Sequence, residues 1–145
     1  MTNQIKPKNI TFKKVESEWY DYHETLKEIA RLREMIMTPF DEDPDMNTGG
    51  GSNSVMDISK PTEKIATRLV TSKQLRYLTE IVGAIEKVYN VLPDDHKKVV
   101  QLRYWKKGNK LTWEGVANQI HVSDRTARRW RNEIIQATIE VLGWR

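Results

Sequence analysis

The stretch that most constrains this chain is residues 111–132, LTWEGVANQIHVSDRTARRWRN. Val116, Ala117 and Ile120 are followed by Val122, then by Ala127, Trp130 and Ile134. Within each half these apolar residues recur at steps of three and four, which places them on one face of a helix. The chain turns between the two halves at His121-Val122-Ser123. Thr112 and Ser123 stand where an N-cap belongs, since a side-chain oxygen there accepts an otherwise free N–H of the next turn. Ala117 is small, as required where a second helix crosses closely. Two short helices joined by a three-residue turn, the second crowded with arginine, form the layout of a DNA-binding helix-turn-helix.

Projecting the second helix at about 100° per residue sorts its polar residues. With Ala127, Trp130, Ile134 and Val141 taken as the buried side, Arg125, Arg129, Asn132 and Gln136 fall opposite. Arg128 and Thr126 lie at the two edges of that outer side. Arg131 falls nearer the buried flank, so a phosphate or a partner is its expected target rather than a base. Arginine is bidentate to guanine and asparagine to adenine, and the first turns of a recognition helix are the ones that enter the major groove. Arg125, Thr126, Arg128, Arg129 and Asn132 are therefore the candidates for base contact, with Ser123 at the cap. The competing explanation is an ordinary solvated face, the usual place for arginines on a helix.

Charge is unevenly placed along the 145 residues, whose formal net charge is +4. Residues 1–58 hold seven Lys/Arg against eleven Asp/Glu, and residues 93–145 hold eleven against six. The basic end is the helix-turn-helix end, as expected of a segment that meets phosphates. There is no cysteine, which excludes a disulfide framework and a thiolate nucleophile. No apolar run approaches the ~20 residues of a membrane span, and the first ten residues lack the apolar core of a signal peptide. The expected location is the cytoplasm, with no membrane partner. His23, His96 and His121 lie far apart and show no metal-ligand spacing; each is expected at the surface or in a turn. There is no phosphate-binding Gly-Lys-Ser/Thr loop. No enzyme, catalytic residue, metal or cofactor is expected.

The rest of the chain reads as all-α. Residues 1–10 read as a loose arm, in which Lys6 and Lys8 are candidates for DNA-backbone contact and a frayed terminus is the favoured reading; residues 11–37 read as one long helix. Phe12, Val15, Trp19, Tyr22, Leu26 and Ile29 follow a/d spacing. That pattern fits a homodimer seam through the N-terminal helix, and equally well packing against the chain's own next long helix. Residues 38–60, with Pro39, Pro44 and three consecutive glycines, read as a flexible linker. Asp41, Asp43 and Asp45 alternate as at the start of a calcium loop. Met46 and Ser52 then occupy the places of its Gly and closing Glu, so no metal is expected. Residues 61–145 read as a helical DNA-binding domain with the helix-turn-helix at 112–138. Pro61 opens its long helix, where a missing N–H costs nothing. Ile65, Leu69, Leu75, Leu78, Val82, Ile85 and Tyr89 supply its apolar stripe. Lys106, Lys107 and Lys110 are candidates for phosphate contact, the alternative being a solubilising loop. Trp113 reads as a packing residue. The apolar residues Ile134, Ile135, Ile139, Val141, Leu142 and Trp144 imply a docking surface, for the 61–90 helix or for a second subunit.

From Leu92-Pro93 onward the chain resembles promoter-binding region 4 of bacterial sigma factors. The matching positions are Leu92, Pro93, Leu102, Arg103, Tyr104, Ala117, Ile120, Ser123 and Thr126. His121 departs from the pattern, standing where many such turns carry glycine. Trp130 also sits one residue before the usual apolar position. The whole chain, including RLREMIMTPF, the glycine-rich middle and KPTEKIATRLV, resembles the RinA/ArpU-type transcriptional regulators of phages of Gram-positive bacteria. That resemblance implies a sequence-specific activator of phage late packaging and structural genes, binding double-stranded DNA and acting with host RNA polymerase. Two other readings stay open: a small terminase subunit, and a polymerase-binding regulator that makes no DNA contact.

Overall fold

The computed structural model describes residues 6–37 and 61–145. The 38–60 linker and the calcium-loop comparison made on it lie outside the described residues. Six α-helices and no strand occur among the described residues. They are α1 (Asn9–Tyr20), α2 (Tyr22–Met37), α3 (Pro61–Val91), α4 (Asp94–Val99), α5 (Trp113–Gln119) and α6 (Asp124–Leu142); a π-helical turn, Val100–Tyr104, extends α4. The all-α expectation holds. Two compact units are present: one comprises Met1–Thr25 with Glu80–Arg145, the other Leu26–Thr79.

The first unit has an aromatic and aliphatic core. Val15 and Trp19 of α1, Ile81, Ile85 and Val88 of α3, Val99, Val100 and Tyr104, Val116 of α5, and Ile134, Ile135 and Ile139 of α6 form one buried cluster. The apolar end of the chain thus docks on its own α1 and α3. Val141 is an exception: expected on the buried side, it is 50% exposed. The buried arc of α6 is Ala127, Ile134, Ile135, Thr138 and Ile139, rotated from the line of Trp130 and Val141 toward Thr138. Trp130 is half-buried and stacks on His96 at 4.8 Å.

The a/d stripe of α1 is consumed inside this unit. Trp19 is fully buried, and its indole Nε1 donates to Thr138 Oγ1 at 3.0 Å, while that hydroxyl donates to the Ile134 carbonyl at 2.8 Å. Every polar atom of this pair has a partner, so its burial carries no unpaired-group penalty. The single helix expected over 11–37 is interrupted at Asp21, which has φ −90° and ψ 3°. The interruption coincides with Trp105, which stacks on both Trp19 (5.9 Å) and Tyr22 (4.9 Å). The Trp105 indole also donates to the Trp19 carbonyl at 3.0 Å, an acceptor that a continuous helix would use for the N–H four residues on.

In the second unit Ile29, Leu32 and Thr71 are buried. Ile65 and Leu69, placed on the α3 stripe by their spacing, are instead 61% and 66% exposed, and Val70 is 65% exposed. Thr71 turns its hydroxyl back to the Thr67 carbonyl at 2.8 Å.

Candidate nucleic-acid interface

Local chemistry sets the entry to α6. Thr112 caps α5 by accepting Gly115 N–H at 3.1 Å, and Ser123 caps α6 by accepting Thr126 N–H at 3.1 Å. Between them His121 has φ 59°, a left-handed backbone that costs a non-glycine residue about 1 kcal/mol. At its far end α6 closes on Gly143 at φ 73°, where the N–H groups of Gly143 and Trp144 both donate to the Ile139 carbonyl (2.9 and 3.2 Å). That pairing satisfies the last turn, and the left-handed position favours glycine.

The outer face of α6 gathers four of the sequence candidates. Arg125, Arg128, Arg129 and Asn132 are exposed and line one open surface depression together with Asp124. Arg128 Nε lies 3.3 Å from Asp124 Oδ2, an ion pair one turn apart on the same helix. Among the described residues Arg125 and Arg129 have no ion-pair partner, which leaves their donors facing water. Ser123 and Thr126 do not line the depression; the Ser123 hydroxyl donates to Thr126 Oγ1 at 2.8 Å, so both are occupied with the cap.

The Arg131 guanidinium, on the inner flank as projected, is engaged within the chain. Its side chain is 22% exposed, and the guanidinium lies over the rings of Phe12 and Trp113 at 5.4 and 5.3 Å. It donates to Glu16 Oε2 at 3.4 Å, and its Nε donates to Asn132 Oδ1 at 2.8 Å. Because a guanidinium N–H can only donate, the oxygen of the Asn132 amide is the atom facing Arg131. Tyr104 donates to the same Glu16 carboxylate at 2.8 Å; burial first, then the Glu16 charge, pushes its phenol well above the ordinary tyrosine value. Glu16 of α1 thus neutralises Arg131 and helps hold the second turn of α6 in place. Sequence reasoning missed this group because Glu16 lies 88 residues from Tyr104 and 115 from Arg131. The projected position of Arg131 on the inner flank was the one available signal.

The loop lysines divide. Lys106 and Lys107 are exposed beside Gly108, whose φ is 87°. Lys110 places its Nζ 3.9 Å from the centre of the Tyr20 ring, with Arg103 on the same ring at 5.8 Å and on Trp113 at 5.0 Å. Lys110 is therefore partly a packing residue, as Trp113 is. None of the three lysines lines the α6 depression. His96, expected at the surface, is instead largely covered: it stacks on Trp130, and its Nε2 lies 2.8 Å from Glu133. His121 does occupy the turn and is exposed. Among the described residues no group of three or more His, Cys, Asp or Glu is placed to hold a metal, and no helix is long and apolar enough to cross a membrane.

Fold and face together define an all-helical protein that turns an arginine-rich helix outward over a short supporting helix. Its particular family follows from comparison with known proteins. Residues 12–140 match the family described as "Protein of unknown function (DUF722)". Over 133 residues the chain is 34% identical to "Transcriptional activator rinA" of Staphylococcus phage phi11, covering 92% of this chain and 91% of that one. The chain belongs to this family, the RinA/ArpU-type phage regulators that its sequence resembles. No solved structure matches it.

Proposed function

We propose that the protein is a sequence-specific DNA-binding activator of phage late genes that acts with host RNA polymerase. The observation that carries this reading is the exposed cluster of Arg125, Arg128, Arg129 and Asn132 on the first turns of α6. Those residues hold the donors and acceptors that read guanine and adenine edges, and they sit at the end of the helix that enters a major groove. The name of the phage phi11 relative supports the direction of the effect, activation rather than repression. In this reading Arg125 and Arg129 contact bases, Asn132 reads a further position, and Arg128 leaves Asp124 for DNA. Ser123 and Thr126 bring the helix end and its N–H dipoles to the backbone, and Lys106, Lys107 and Lys110 add phosphate contacts that carry no sequence information. Polymerase, or a second copy of the chain, is engaged by a surface outside α6; the homodimer through the N-terminal helix belongs to this proposal. The Val15 and Trp19 part of its seam is already buried within the chain, so such a dimer would use the α2 side.

Selection from a pool of sheared phage and host DNA at near-physiological salt tests the reading. Enrichment of one short segment upstream of a late operon is the expected result. Enrichment confined to a packaging start would replace the activator with a terminase-type function, and no enrichment would overturn sequence-specific binding.

A further inference from the structure

We propose that the segment leading into α1 and the first turns of α1 form a second DNA-contacting element, with Lys6, Lys8 and Lys13 meeting the phosphates beside the groove that α6 enters. This rests on the DNA-binding reading of α6 and names a further site for the same partner. The first 58 residues are acidic as a whole, yet residues 1–14 hold four lysines and no Asp or Glu. Three of these, Lys6, Lys8 and Lys13, are exposed and have no ion-pair partner among the described residues, whereas Lys14 pairs with Glu18 at 2.9 Å. An arm that only solubilised the chain would have no reason to lie near the arginine face, but this one does. Lys6, Pro7 and Phe12 line one cleft together with Arg129, Asn132 and Gln136 of α6, and Lys8 and Lys13, which do not line it, are sequence neighbours of these lining residues.

The placement is fixed by packing. The Trp19–Thr138 bond, the Glu16–Arg131 pair and a hydrogen bond from Thr11 Oγ1 to the Arg145 carbonyl lock α1 along α6. A major groove is about 8.5 Å deep, and a helix rises about 1.5 Å per residue. With the base-reading face ending at Asn132, Gln136 stands about one turn further along the helix, where the groove gives way to the phosphate backbone. That is where the cleft brings the arm. Glu133 and Glu140 also line the cleft, bonded by His96 at 2.8 Å and Gln136 at 3.4 Å; carboxylates repel phosphate, so the contact falls on the lysines.

The test uses the full chain and the duplex recovered by selection, beside a random duplex of equal length, over a series of salt concentrations. Lys6→Ala, Lys8→Ala and Lys13→Ala are combined in one variant; all three side chains are exposed, and an unchanged melting temperature confirms that folding is intact. The variant is expected to bind both duplexes more weakly by the same factor. Its plot of log affinity against log salt should be shallower by about 0.9 for each phosphate that is no longer neutralised, roughly 2.7 for three. The matching triple Lys→Arg variant should keep the parent slope. An unchanged slope and affinity would overturn the proposal, as would tighter binding, which would mean that the arm covers the arginine face. If the parent protein shows no salt-dependent duplex binding, the reading of α6 falls and this one with it. If the parent binds and only the slope prediction fails, the arm alone is refuted.

Discussion

In the first unit the large apolar side chains are almost completely covered: Val15, Trp19, Ile85, Val99, Val100, Ile134 and Ile135 have no exposed surface. In the second unit Ile65, Leu69 and Val70 of α3 keep more than half of theirs. Both sets recur at helical spacing, and spacing alone does not separate them. In the first unit the apolar stripe is joined by polar bonds across elements. Around Trp19 each buried donor and acceptor meets a partner on another element: Thr138 for its indole, Trp105 for its carbonyl, and Glu16 between Tyr104 and Arg131. A periodic stripe specifies that a helix has an apolar face. The bonds across elements in the first unit come from residues that the stripe does not mark.

The contrast can be broken most forcefully at Trp19. Replacing it with Ala removes the largest fully buried side chain and strands the acceptor site of the Thr138 hydroxyl. Chemical denaturation should show a loss of about 3–5 kcal/mol, enough to unfold a marginal domain. A loss below about 1 kcal/mol would mean that this core is not what holds the unit. A smaller effect is expected at the rim, where Ser123→Ala removes the α6 cap. The cost should be about 1 kcal/mol in the same assay, with Ser123→Asp restoring most of it.

The alkaline limb of stability gives a sharper view of the first unit. Tyr22 donates to Glu86 at 2.9 Å, and burial first, then this bond and the carboxylate charge, push its phenol up to about 12. Its contribution is therefore complete below pH 10 and is lost as pH rises through about 12. Melting temperature should fall across that window, and Tyr22→Phe should fall less steeply than the parent. An equal slope would show that the Tyr22–Glu86 bond is absent in solution. The smallest effect belongs to the second unit: Leu69→Ser should change stability by no more than about 0.5 kcal/mol. A loss of several kcal/mol would show that Leu69 is covered after all.

Much of the α5–α6 region was legible in the sequence because its determinants are local. Thr112 and Ser123 cap as their positions imply, and Val116, Ala117, Ala127 and Ile134 are buried as their spacing implies. His121 takes the left-handed backbone at the place where the sigma-like pattern carries glycine. The placement of Arg125, Arg129 and Asn132 on the open side of α6 was likewise legible from the helical projection. What escaped depends on distant partners. Nothing near Asp21 marks a helix break; Trp105, whose indole bonds the Trp19 carbonyl there, lies over eighty residues away in sequence. The π-helical turn at Val100–Tyr104, closed by Trp105 N–H on the Val100 carbonyl at 3.0 Å, has no local signature either. It carries Arg103 and Tyr104, which bond Tyr20 and Glu16 of α1. Arg131 falls on the flank that the projection gives it, while its partner there, Glu16 of α1, is one that a helical projection does not show.

One measurement bears most directly on the claim that the core of the first unit serves stability while the outer face of α6 serves recognition. Arg129→Ala is compared with the parent for affinity to the selected DNA segment and for melting temperature. The expected result is an unchanged melting temperature with specific binding weakened by about 1–3 kcal/mol, and preference abolished at one base pair. Unchanged affinity for the selected segment, with folding intact, would contradict the assignment of this face to DNA.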